Sequence, residues 1–173
     1  MFAASDVHLR PATFADIVSI QRVGIEADSR YLDSAHPECA DGTTIPTDAA
    51  ERAVESQRLV VACLNDAICG WALVGKLGKE LCLGQISVSS DHGNRGIGSR
   101  LLQHIIKLAR ESGAPSIILN TQRDVPWCMP WYTKHGFRAL EPIEMSAALM
   151  DVQREQAAAG LDWSTRVHMR LSF

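Results

Sequence analysis

Apolar residues gather in three short runs in the middle of the chain, at 59–64, 68–74 and 81–88. Asn65-Asp66 separates the first two, and Gly75-Lys76-Leu77-Gly78-Lys79 leads into the third. Close turns between runs of strand length predict an antiparallel meander. The period then changes. Leu101, Leu102, Ile105, Ile106 and Ala109 recur on one helical face, with Arg100, Gln103, Lys107 and Arg110 on the other. Gly113 and Pro115 end that helix, and 116–120 reads as a buried strand. Before the meander, 7–10 reads as a strand stopped by Pro11. A helix follows, opened by Thr13 with Asp16 three residues on, its apolar face including Phe14, Ile17, Ile20 and Gly24. Pro46-Thr47-Asp48 starts a second helix running to about Gln57. After 120 come a short helix at 126–135, a strand at 137–140, a helix at 146–159 closed by Gly160, and a last strand at 166–173. A meander running into strand–helix–strand predicts an α/β fold, a mixed sheet with helices on its faces. Between 28 and 45 the pattern dissolves into Asp, Ser, Pro and Gly. Loops of that length are often functional.

Composition narrows the classes. The 173 residues suit one domain, taken here as 1–173. An apolar share of 46% against 21% charged is that of a soluble globular chain. A net charge of −3 gives no footprint for nucleic acid or an anionic membrane as partner. The apolar runs are too short to span a bilayer, and no basic segment precedes an apolar stretch at the start. Five cysteines, without a CxxC pair, read as free thiols in a reducing compartment, so a cytoplasmic location is expected. The six histidines show no metal-ligand spacing, and no metal is expected.

The most informative stretch joins the third run to the long helix: Val88-Ser89-Ser90-Asp91-His92-Gly93-Asn94-Arg95-Gly96-Ile97-Gly98-Ser99-Arg100-Leu101-Leu102. Glycines at 93, 96 and 98 let backbone N–H groups point inward together, and Asn94 tolerates a positive φ. With the helix dipole behind them they form an anion site suited to a pyrophosphate. The same pattern is also met in a plain strand–turn–helix corner.

Residues 88–102 resemble the central motif of the GNAT superfamily of N-acetyltransferases, a strand followed by a Gln/Arg-x-x-Gly-x-Gly/Ala turn. Trp131-Tyr132-Thr133-Lys134-His135-Gly136-Phe137 is similar to that family's second signature, and Leu9-Arg10-Pro11-Ala12-Thr13 to its usual opening. Pro126-Trp127-Cys128-Met129-Pro130-Trp131-Tyr132 and the tail from Gly160 to Met169 resemble a little-characterised subgroup. Only 28–57 is unmatched. The resemblance implies a mostly antiparallel sheet with a splayed central strand pair, acetyl-CoA as acyl donor, and direct transfer to a primary amine of a small molecule or peptide. It implies that Ile86, Ser87, Val88, Gly93, Asn94, Arg95, Gly96, Ile97, Gly98, Ser99 and Asn120 contact the cofactor, and that Tyr132 meets the departing thiol. A homodimer is left open.

The chain departs from the pattern in three places. Gly93 and Asn94 stand where Gln or Arg and Gly are usual, Cys128 replaces an Asn, and Gly84-Gln85 replaces the glutamate that serves many relatives as base. Gln85 can only orient a water at neutral pH. A base from the unmatched loop would be Glu26, Asp28, His36 or Glu38, and Tyr31, His36 and Gln85 are the candidate acceptor contacts. Two rival readings remain: a dinucleotide fold, for which the third glycine is missing at Leu101, and a GNAT fold that holds acyl-CoA as a non-catalytic sensor or scaffold.

Overall fold

The computed structural model describes residues 6–173. It is a mixed α/β fold in which seven strands form one mostly antiparallel sheet, ordered β1-β2-β3-β4-β5-β7-β6. The strands are β1 (His8–Pro11), β2 (Leu59–Leu64), β3 (Ala67–Leu77), β4 (Glu80–Val88), β5 (Ser116–Gln122), β6 (Arg138–Ala139) and β7 (Arg166–Ser172). The helices are α1 (Ile17–Asp28), α2 (Thr47–Glu55), α3 (Ile97–Glu111), α4 (Met129–Lys134) and α5 (Ala147–Ala158). Short 3-10 turns join several of them. Among the described residues no helix is long and apolar enough to cross a membrane.

The chain divides into two compact units, one taking the chain up to Val74 together with Gly84–Lys107, the other Gly75–Leu83 with Leu108–Phe173. In the first, β2 is buried along its whole length, as its unbroken apolar run requires. The expected turn at Asn65-Asp66 forms with φ of 48° and 64°, the left-handed pair a two-residue hairpin uses. Trp71 of β3 packs among Ile20, Val23, Ala50, Leu59 and Val61. Pro11 does not stop β1 but is its last residue, opposite Val60; on the outermost strand its missing N–H costs no ladder bond. Phe14, expected on the buried face of the first helix, is 55% exposed. The chain from Phe14 to Asp16 is a 3-10 turn, and α1 begins only at Ile17, so Phe14 lies off the stripe of Ile17, Ile20 and Gly24. Asp16 makes that turn: its Oδ2 accepts from Thr13 N (2.7 Å) and Thr13 Oγ1 (2.8 Å). Both its oxygens also take Arg10, at 2.7 and 2.9 Å.

In the second unit, β5 pairs with β4 in parallel through Leu81–Ile117 and Cys82–Ile118. That ladder is short, and each strand continues beyond it, β4 to Val88 and β5 to Gln122. The other edge of β5 pairs antiparallel with β7 along its full length, and β7 then pairs with β6. Leu149 of α5 packs with Ile118 and Leu140. Glu80 joins three segments here, accepting from Ser116 Oγ (2.5 Å) and Arg170 Nε (2.8 Å).

Candidate functional site

In the first unit, β4 ends at Val88, a 3-10 turn Ser90–His92 follows, and α3 starts at Ile97. Asn94 and Gly96 both take positive φ, 57° and 79°, which alternates the peptide planes between them and turns successive N–H groups to one side. Gly96 O accepts the Arg100 N–H at 3.0 Å, the first bond of α3. The N–H groups of Ile97 and Gly98 precede that bond, where a helix supplies no carbonyl of its own. These residues therefore fit an anion such as a pyrophosphate. Gly93 behaves differently from expectation. Its φ is −58° and its N–H donates to Ser90 O at 3.2 Å, so the cradle narrows to 94–98. A Cβ at this position would lie a tight 3.3 Å from Ser90 O. Arg95 is exposed, and Ser99 and Arg100 are half-buried.

Along β4, Ser87 is buried and accepts from Gln85 Nε2 at 3.1 Å; Ile86 and Val88 are half-buried. Sequence reasoning missed the partner of Ser89. Its buried Oγ donates to Glu26 Oε2 (2.9 Å), and Arg22 holds Glu26 Oε1 (2.8 Å), tying α1 to the residue before the turn. The spacing of Arg22 and Glu26, one helical turn apart, was the available signal; the pairing across 63 residues was not.

The segment 28–45 is built of 3-10 turns, Ser29–Asp33 and Pro37–Cys39. His36, expected to be solvated unless it served a site, is 6% exposed, with Nδ1 3.1 Å from Glu38 Oε1. Tyr31 is half-buried and its carbonyl accepts from Ser34. The Asp28 carboxyl is pushed up to about 6, by burial first and then by the charge of Asp41. A carboxyl tuned there suits proton acceptance near neutrality.

In the second unit, Tyr132 of α4 is buried, edge-on to Trp131 and Phe137 with ring centroids 4.9 and 5.6 Å away. Burial, with Cys128 adding, pushes its phenol pKa up, so the hydroxyl keeps its proton and can donate. Asn120 is already engaged: its Oδ1 accepts from Arg166 Nε (3.0 Å) and Nη2 (2.7 Å), and its Nδ2 donates to Gln156 Oε1 (3.3 Å). Its side chain is thus a structural link, and its backbone is what is left to face a cofactor. Among the described residues no group of three or more His, Cys, Asp or Glu side chains is placed to hold a metal.

Residues 25–137 match the model of the acetyltransferase (GNAT) family. The chain is 34% identical over 74 residues to the uncharacterized N-acetyltransferase YjcF of Bacillus subtilis, covering 43% of this chain and 49% of that one. It thus spans about half the length of this curated relative. Its fold is similar to that of the PaiA N-acetyltransferase of Thermoplasma acidophilum, solved with coenzyme A, at TM-score 0.75 and 12% identity, covering 96% of this chain and 99% of the other. It also resembles N-acetylglutamate synthase of Neisseria gonorrhoeae, solved with coenzyme A and N-acetyl-glutamate. There the TM-score is 0.72 at 18% identity, covering 96% of this chain and 35% of the other.

Proposed function

The chain belongs to the acetyltransferase (GNAT) family, and from that membership we propose that it transfers an acetyl group from acetyl-CoA directly to a primary amine. The observation that carries the reading is the cradle at 94–98, two left-handed residues leading into the first turn of a fifteen-residue helix. A second support is that folds like this one have been solved with coenzyme A bound.

Four things are needed. The cradle and helix dipole hold the pyrophosphate, which fixes the donor. Backbone N–H groups of 86–88 face the thioester oxygen and stabilise the charge that grows on it. A base or water takes the amine's proton as the N–C bond forms and the C–S bond breaks. The departing thiolate needs a hydrogen bond or a proton, and Tyr132 is assigned that role, as the resemblance of its segment implies. Asp28 is the candidate base, since it is the carboxyl of the unmatched stretch whose proton affinity lies near neutral pH. The resemblance of 126–132 to a subgroup of the family belongs to the same reading.

Titration calorimetry tests the cradle. The wild type should bind acetyl-CoA, and Gly96→Pro should bind at least tenfold more weakly, because proline cannot hold φ near 79° and has no N–H. A wild type that binds no CoA ester overturns the proposal. The sensor reading is favoured by one feature, the Gln85 side chain spent on Ser87 where a base is usual. Acetyl-CoA binding without turnover of any primary amine would select it.

A further inference from the structure

His168 of β7 stands directly opposite Asn120 of β5, so both side chains lie on one face of the sheet. The Trp163 indole, on the 3-10 turn Trp163–Thr165 that leads into β7, packs against the His168 ring at a centroid distance of 4.5 Å, tilted 35°. His168 is 5% exposed. Its ring is fixed by a hydrogen bond with the Leu119 backbone, while Nε2 is buried without a partner. Burial pushes the imidazole pKa down, the Leu119 bond works against that, and the Arg166 charge lowers it further. The ring is therefore neutral at pH 7. With its proton on the side facing the Leu119 carbonyl, Nε2 is a bare lone pair that can only accept. Trp163 Nε1 is buried without a partner as well, and an indole N–H can only donate. Two touching rings thus present one unmet acceptor and one unmet donor. Buried polar atoms are rarely left so unless something not built into the chain completes them.

The complement of this pair is a group with an N–H and a carbonyl oxygen close together. An amine on the carbon next to a carbonyl has that form. The charge bearing on the pair is that of Arg166, held beside it on Asn120, and it favours a carbonyl oxygen and disfavours a polycationic amine. The pKa of such an α-amine is about 7.7–8.0, against about 10.4 for a lysine-type amine. A substantial share is therefore already neutral near pH 7, which suits a chain with glutamine at position 85. Resting on the acetyl-transfer reading above, we propose that His168 and Trp163 form the acceptor subsite. The acceptor is an α-amine flanked by a carbonyl, as in an amino-acid amide or a peptide N-terminus, with its N–H on His168 Nε2 and its oxygen on Trp163 Nε1. Trp163 itself is half-buried on its turn.

The indole N–H resonance of Trp163 in ¹⁵N-labelled protein, identified by its loss in Trp163→Phe, reports on this pair without any turnover. Alaninamide should move it saturably at millimolar concentrations, and butylamine, a primary amine with no carbonyl, should leave it in place. His168→Asn should weaken the alaninamide response at least fivefold. A resonance that ignores alaninamide up to 100 mM (on the order of a hundred times the affinity expected), or follows butylamine equally, overturns the proposal, and the pair is then hydrated and nothing more. Acetyl-CoA calorimetry on the same sample separates the two readings. Intact CoA binding with a silent indole defeats only the subsite, whereas a responsive indole without CoA binding defeats the acetyl-transfer reading.

Discussion

Asp28 and Tyr132 are both acids that burial makes harder to ionise, and the consequences differ because one is proposed to take up a proton in the reaction and the other to offer its own to the departing thiolate. For Asp28 the folded value of about 6 exceeds the ordinary value of about 3.9. The folded state therefore binds the extra proton, and stability falls as pH rises from about 4 through about 6. Asp28→Asn should remove that fall and raise stability at pH 7 by about 1 kcal/mol, a figure discounted for the partial exposure of the group. Urea unfolding at pH 4.5 and 7.5 measures it. If Asp28 is the base, the more stable variant is also the slower one, and the acidic limb of its kcat/KM profile disappears. For Tyr132, replacement by Phe keeps the ring contacts with Trp131 and Phe137 and deletes only the donor. We expect kcat to fall roughly tenfold with the Michaelis constant for acetyl-CoA unchanged, since a thiolate of pKa near 8.5 leaves well without much help. Equal kcat, with chemistry limiting, would leave Tyr132 a packing residue.

At the scale of elements, Gly70 of β3 sets how closely the first turns of α3 approach the sheet. A Cβ there would meet Ser87 O at 2.9 Å and the Ile97 and Leu101 side chains at 3.3 Å. Gly70→Ala should cost about 1–3 kcal/mol and weaken acetyl-CoA binding along with it. Gly84→Ala, whose Cβ would find Leu73 at 3.5 Å, should do neither. Thermal melts and calorimetry on the pair check this. The turn before α1 gives a second test. Arg10 holds the Asp16 carboxyl well below the usual range, so its contribution is complete above pH 4 and is lost as pH falls further. Asp16→Asn should lose about 2 kcal/mol at pH 7 and show a shallower acid transition. That turn was legible in the sequence because a cap is a local pattern. For the same reason β2 was read to the residue, and the α3 stripe of Leu101, Leu102, Ile105 and Ala109 is buried as its period implies. Period alone misplaced Phe14, since a 3-10 turn and an α-helix differ in where they point a side chain. It also overran α4, which was read from 126, while Cys128 takes φ −106°, ψ −112° and the helix waits for Met129.

Across the whole molecule, acetyl-CoA at about a hundred times its dissociation constant should stabilise the fold by about 2.7 kcal/mol. For a chain of 173 residues this is a rise in Tm of about 5–10 °C. A scanning-fluorimetry series with acetyl-CoA and with an unrelated nucleotide checks it; an equal shift with both would argue for a general anion effect. The turn into α3 was readable from glycine spacing because its backbone, 94–98, lies within five consecutive residues, and its binding of a phosphate remains the proposal that calorimetry tests. The links Glu26–Ser89 and Asn120–Arg166 were not readable, since they join residues 63 and 46 positions apart that only the fold brings together.

The position of β7 in the sheet bears on how the chain reaches this state. β7 lies between β5 and β6, although β5 precedes it by some fifty residues and both α4 and α5 intervene. During synthesis, Ile117, Ile118 and Leu119 are therefore finished long before the strand that covers their edge. A nascent or truncated chain that stops short of Arg166 leaves that edge open to pairing with another copy. Such fragments should be recovered as aggregates rather than as a shortened protein, and a holdase chaperone is most needed in the interval between the two strands.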